Sequence, residues 1–376
     1  MNARERYLET MLFGSPDRIP FEPGKPREKT LKRWHSEGLP EGANWYDHLC
    51  ELIGIDAAMQ VDPIGESGLV NFRMNPKFEE KVLEHKNGHY ILQDWMGNIV
   101  EISDEFDYTY IREPKDFVTR KWHSFPVVTH EDFEEMKQRF DPDDPIRYPE
   151  DFDKQVEALK NREHILTLNF SGPFWQLREW VGFEPLCMLF LEDPEFVQEM
   201  IRFYSDFISR TMEKALSSGI VDRIWVNEDM AFKEHSMISP EMTREFLLPV
   251  WAKWVSEART GGVQLLDMDS DGYIEDLVPI WIDAGFNVCD PLELAAGNDI
   301  QECRDIYGKH MAFRMGVDKR KMARGGIEME AELQRLAPVI RDGGFIPGCD
   351  HGVPADVSWK NFVDYATGLA ELTGWK

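Results

Sequence analysis

The chain has little of what marks a secreted, membrane-bound or nucleic-acid-binding protein. Its five cysteines, Cys50, Cys187, Cys289, Cys303 and Cys349, are odd in number, widely spaced and form no CxxC pair. They read as free thiols of a cytoplasmic protein, not as a disulfide framework. The opening MNARERYLET is charged and has no apolar core of the kind a signal peptide needs. No apolar run approaches the roughly 18 residues of a membrane span. Positive charge is scarce: 42 Lys and Arg against 69 Asp and Glu give a net charge of −27. Such a chain repels polyanions, which argues against nucleic acid or an acidic membrane as partner and leaves a small molecule. Neither GxGxxG nor GxxxxGK[ST] occurs, so the phosphate turn of a doubly wound dinucleotide-binding sheet is missing.

What is present is material for a large core. The 376 residues are 42% hydrophobic and 12% aromatic, with 12 Trp, enough to exclude wholesale disorder. After about residue 160 a rhythm sets in. Strand-like runs at 164–170, 223–227, 263–268, 287–289, 311–316 and 344–347 each precede a helical pattern. The helices include 193–217, one beginning at Ser239-Pro240, and those near 274–284, 328–342 and 358–372. Two earlier runs, 19–21 and 55–61, bring the candidate strands to eight, the second ending at Asp62. Alternation of this kind predicts an α/β fold with parallel strands, a (β/α)8 TIM barrel spanning residues 1–376 as one domain. Between strands two and three, at about 70–150, the texture changes. Alternating runs around Asn87-Gly88 and Gly97-Asn98 predict a small β-hairpin insertion, placed over the barrel mouth or at a homodimer contact.

Barrel enzymes carry their chemistry at the carboxyl ends of the strands. Reading only those ends yields Asp62; Ser171-Gly172-Pro173 with Trp175 and Arg178 behind; Glu228-Asp229; Asp267, Asp269 and Asp271; Asp290 and Glu293; Asp318 and Lys319; and Cys349-Asp350-His351. Carboxylates crowded in one mouth need a cation, a basic substrate group or shared protons. Asp269 and Asp271 point the same way on an extended strand end. With His351 they would form a two-carboxylate, one-imidazole metal shell. The plainer alternative is that Asp271 caps a helix starting near Tyr273 and the other acids are solvated. Lys319 could grip an anionic group on the substrate or simply pair with a neighbouring acid. Trp175 and Trp225 read as packing before cofactor stacking, although Trp175, Arg178, Glu228 and Lys319 stand where a substrate would lie.

The opening ARERYLETMLFGSPDRIPF, the run 56–62, the segment SPEMTREFLLP and the ending HGVPADVSWKN together resemble the uroporphyrinogen decarboxylase superfamily, which includes the cobamide-dependent methyltransferases. The resemblance implies a (β/α)8 barrel. It also places Asp62 where the decarboxylases have an active-site aspartate, and His351 where their histidine or the methyltransferases' zinc-binding cysteine stands. Two departures matter. The arginine motif of the decarboxylases is replaced by EPGKPREKTLKRW, a poor host for a substrate ringed with carboxylates. The His-x-Cys-Gly of the methyltransferases is replaced by Asp269-Ser270-Asp271-Gly272, which turns the ligand set from soft to hard. The favoured expectation is a methyltransferase or demethylase moving a methyl group between a small substrate and a corrinoid carried by a partner protein. A divalent metal, zinc by the resemblance, would sit on Asp269, Asp271 and His351, with Asp62, Asp229 and His351 catalytic. The alternatives are a uroporphyrinogen decarboxylase or related cofactor-free decarboxylase, and a non-catalytic ligand-binding barrel.

Overall fold

In the computed structural model, residues 1–56, 64–66, 69–105, 107–112 and 120–376 are described. Asp62 and most of the run 55–61 lie outside them. Seven parallel strands form the main sheet: β1 (Ile64–Glu66), β6 (Ile165–Ser171), β7 (Arg223–Asn227), β8 (Leu265–Asp269), β9 (Val288–Asp290), β10 (Ala312–Val317) and β11 (Phe345–Cys349). They pair in chain order, with helices in the connections, as the alternation predicts. A separate antiparallel sheet holds β2 (Lys81–Lys86), β3 (His89–Gln93), β4 (Ile99–Ser103) and β5 (Arg120–Ser124). Asn87 and Gly88 turn the first hairpin with φ of 52° and 77°, the mirror-image turn that suits strand twist. Leu92, Val100, Ile102 and Ile111 form a small core of their own under this sheet.

The six strands from β6 onward fall within about two residues of their predicted places because their apolar runs are buried. The first predicted strand is corrected. Residues 19–21 form no strand; instead the chain just after them, Pro23 to Pro26, lies alongside β11 in the parallel sense. Cys349 N donates to Pro23 O at 3.4 Å, Val353 N to Lys25 O at 2.8 Å, and Pro26 bridges Val353. Pro20, Pro23 and Pro26 have no N–H to give, so a full ladder cannot form. The approach is close: a Cβ on Gly348 would stand 2.3 Å from Glu22 O. Among the described residues the main ladder runs from β1 to β11 without returning to β1.

The helices follow local chemistry. Pro194–Ser217 begins at Asp193, whose carboxylate accepts Phe196 N, with Pro194 in the first turn. It buries Phe196, Met200, Tyr204, Phe207, Thr211 and Ala215 at helical spacing. Phe170 of β6 meets Trp254 from the helix Leu248–Thr260 edge-on at 5.3 Å. One face of the sheet is therefore apolar: Leu168, Phe170, Ile224, Val226, Leu266 and Met268 are all buried in the main core.

The opposite face is polar, and this positions the site. Parallel register sets Thr167 beside Arg223, Asn169 beside Trp225 and Ser171 beside Asn227, then Trp225 beside Asp267 and Asn227 beside Asp269, and Asp269 beside Asp290. A parallel strand covered on both sides usually reads as a continuous apolar run. Here Asn169 is exposed in mid-strand and Trp225, Asn227 and Asp269 keep some solvent access, so the polar face borders open space. No helix among the described residues is long and apolar enough to cross a membrane. All five cysteines are free.

Candidate active site

Deep on the polar face lies a chain of ions. Arg223 pairs with Asp267 and approaches Asp290 at 3.5 Å. Asp290 pairs with Arg314, and Arg314 reaches Glu22 at 2.9 Å. Trp225 Nε1 donates to Asp290 Oδ1 at 2.9 Å. Burial pushes Asp267 up to about 7 against the pull of Arg223. Of these residues Arg223, Arg314 and Glu22 were not among the sequence candidates. The signal that could have found the strand members is a two-residue polar period inside apolar strands: Thr167, Asn169, Ser171; Arg223, Asn227; Asp267, Asp269.

Above this chain, at the carboxyl ends, Glu228 is fully buried. Its Oε2 accepts Trp175 N at 2.9 Å and its Oε1 accepts Trp251 Nε1 at 3.1 Å. Burial outweighs these donors and raises its pKa to about 8. Gly172 explains the Ser-Gly-Pro turn after β6, since a Cβ there would lie 2.3 Å from the Glu228 carboxyl group. Asp229 sits at a positive φ of 32°. Arg178 donates to its carbonyl at 3.0 Å and to its Oδ2 at 3.3 Å and lies over the Trp175 ring at 4.2 Å. Burial first, then the Asp271 charge, raises the Asp229 pKa. Trp175 is thus a platform for Arg178, and Arg178 is the counter-ion of Asp229.

Asp269 is the least satisfied acid. It has no hydrogen-bond donor and no cation paired with it among the described residues. Its backbone carbonyl accepts Glu228 N and Asp229 N. Burial and the charges of Asp290, Asp271, Asp267 and Asp229 push its carboxyl well above the ordinary range. Asp271 and His351, 80 positions apart in the chain, meet across the mouth, with His351 Nε2 3.1 Å from Asp271 Oδ2. Asp271 is not a helix cap, because the next helix is Val278–Ala284. Lys319 lies 3.4 Å from Asp350 and 3.8 Å from Glu293, so its charge is already matched by protein acids. Arg320 pairs with Asp318. Cys349 is buried and its thiol is pushed up to about 12 by burial, as expected of a packing cysteine.

The expected metal shell is therefore only partly assembled. His351 and Asp271 meet, but among the described residues no three His, Cys, Asp or Glu side chains are arranged to hold a metal ion. The trio Asp269, Asp271 and His351 does not fit one as it stands. The contact it does make has a measurable consequence. Burial opposes the imidazolium, yet the hydrogen bond and charge of Asp271 prevail and raise the His351 pKa. The stability this pair contributes is present below the unfolded value, about 6.5, and is lost as pH rises through the folded one. An NMR titration of the His351 ring should find a midpoint above the ordinary histidine value, and Asp271→Asn should lower it. An unchanged midpoint in that variant would mean the contact does not hold in solution.

No family model matches the chain, and no curated protein matches it. Solved structures do. A methyltransferase from Methanosarcina mazei superposes over 99% of both chains with a TM-score of 0.56 at 13% identity. A B12-independent methionine synthase from Shewanella sp. W3-18-1 overlaps 58% of this chain and 65% of its own, with a TM-score of 0.36 at 12% identity. The first shares the overall fold of this chain.

Proposed function

We propose that this protein is a methyltransferase-type enzyme of the uroporphyrinogen decarboxylase superfamily, moving a methyl group between a small substrate and a corrinoid borne on a separate protein. In this reading the sheet closes into a barrel, with the chain around Phe21–Pro26 completing the wall next to β11. The observation that carries the proposal is the convergence of Asp229, Asp269, Asp271 and His351, from three strand ends, on one polar opening. The likeness in fold to the Methanosarcina methyltransferase supports it.

The mouth fits a visiting macrocycle in one respect: Phe232, half exposed on the loop after β7 and edge-on to Phe183 at 5.5 Å, gives the rim an apolar face. The corrinoid, when present, supplies a cobalt(I) nucleophile for the methyl group. The chain's own residues bind and orient the substrate. Asp269 and the Trp225 ring form the floor, and Arg178 fixes Asp229 beside them. His351 holds a proton at Nε2 against Asp271 and can pass it to or from a departing group. Glu228, neutral below about pH 8, anchors the start of the helix Pro173–Val181 rather than acting on substrate.

Incubation with cob(I)alamin and a panel of methylated amines, ethers and thioethers should give enzyme-dependent loss of the cob(I)alamin absorption with at least one donor. Uroporphyrinogen should keep its carboxylates. Decarboxylation of uroporphyrinogen with no cobalamin change would replace this reading by the decarboxylase.

A further inference from the structure

We propose that the substrate of this site is a cation, a protonated methylated amine, and that Asp269 is its counter-ion. The inference rests on reading the strand-end opening as the substrate site and adds the chemical class it takes. Arg178 is matched by Asp229, His351 by Asp271, Lys319 by Asp350 and Glu293, and Arg314 by Asp290 and Glu22. Asp269 has neither a cation nor a hydrogen-bond donor among the described residues, while the charges of Asp290, Asp271, Asp267 and Asp229 act on it. A cation bound beside Asp269 meets that carboxyl group as its counter-ion.

A second set of observations points to a ligand independently of the acids. Asn227, directly beside Asp269 in the sheet, has a buried Oδ1 with no partner, and Thr167, 5% exposed and deeper on the same face beside Arg223, has a buried hydroxyl with none. Both lie on the polar face, and buried polar atoms are ordinarily satisfied. The Asn227 oxygen can accept the N–H of an ammonium group. Trp225 presents its half-buried ring on the same face with its own N–H held by Asp290, leaving the π-face for methyl groups that share the positive charge. A protonated amine therefore matches all three features, the unpaired carboxylate, the unpartnered acceptor and the indole.

The class also suits the chemistry. When the methyl group passes to a cobalt(I) nucleophile, the new bond to carbon uses the cobalt electron pair. The C–N bond breaks with its own pair going to nitrogen, which keeps its proton, so the amine leaves neutral. Asp269 favours this by holding the amine protonated before transfer.

The test is a matched pair of probes. N,N-dimethylethanolamine is protonated at pH 7, and 3-methylbutan-1-ol is its uncharged carbon isostere. Isothermal titration of the full chain, with no corrinoid present, should show the amine binding at least tenfold more tightly than the alcohol. Asp269→Asn should remove most of that preference. Far-UV circular dichroism and a thermal midpoint of Asp269→Asn that match the parent guard against a loss that is merely unfolding. Equal affinity for the two probes, no amine binding, or an undiminished preference in Asp269→Asn would overturn the assignment. The cob(I)alamin assay is a separate readout. Selective amine binding without cobalamin turnover would sink the methyltransferase reading alone, and turnover with an uncharged ether alone would sink only the cation.

Discussion

Replacing Arg314 by methionine is expected to destabilise the protein by about 3–5 kcal/mol, the usual cost of removing one partner from a buried ion pair. Arg314 is 5% exposed. It joins Asp290 of β9 to Glu22 of the proline-rich segment, and without it both carboxylates lose their principal counter-ion, Asp290 in a site closed to water. Burial dominates the result: methionine fills the space but carries no charge. The triple variant Arg314→Met, Asp290→Asn, Glu22→Gln should recover much of the loss, because no unpaired charge is left buried. Urea unfolding followed by far-UV circular dichroism gives both numbers. A loss below about 1 kcal/mol for the single variant, in the range of a surface pair, would show that the ion chain is solvated.

The second large effect is in pH. Glu228 has its pKa raised from 4.5 to about 8 by complete burial. The folded protein keeps it protonated while the unfolded chain has already ionised it. Its contribution to stability is thus full below about pH 4.5 and declines as pH rises toward 8, by roughly 3–5 kcal/mol across that window. Glu228→Gln removes the titration. It also sets a Gln N–H₂ group against the donors Trp175 N or Trp251 Nε1, a fixed cost that does not vary with pH. The stability of the variant relative to the parent should therefore rise steadily between pH 5 and pH 8. Asp267, also raised, affects both proteins alike and drops out of the comparison. A difference between the two proteins that stays constant over this range would mean that Glu228 is ionised in the fold.

Much of the architecture is legible in the residues because burial imposes a simple pattern. The strands β6 to β11 have at least one face sealed by helices, so apolar runs mark them. The Asn87-Gly88 turn is legible because few other pairs tolerate two positive φ values in succession. The predicted N-terminal strand at 19–21 does not form for an equally local reason: the prolines around its apolar run deny the ladder its donors. The fourth strand of the antiparallel sheet, Arg120–Ser124, carries the charged run RKWHS and is largely exposed, so no burial pattern reveals it.

The candidate site was legible as a set of acids and not as a set of partnerships. Asp229, Asp269, Asp271 and His351 could be chosen because each follows a strand, and strand ends of a parallel sheet lie on one side. Which of them pair could not be read, and the difference is chemical: His351 meets Asp271 instead of joining a three-ligand cage, and Lys319 is matched by Asp350 and Glu293. Asp62, expected to be catalytic, lies outside the described residues.

By itself the order of amino acids determined the strand–helix alternation, the acidic character of the mouth and the glycine at 172, since each follows from local sterics or from a periodicity two to four residues long. Only the tertiary structure decided that Arg223 and Arg314 neutralise the deeper acids, Glu22 included, while Asp269 is left with no cation among the described residues. Ion pairing depends on separations of a few ångströms between residues tens or hundreds of positions apart, and the sheet register together with the packing of the loops at its edge sets those separations.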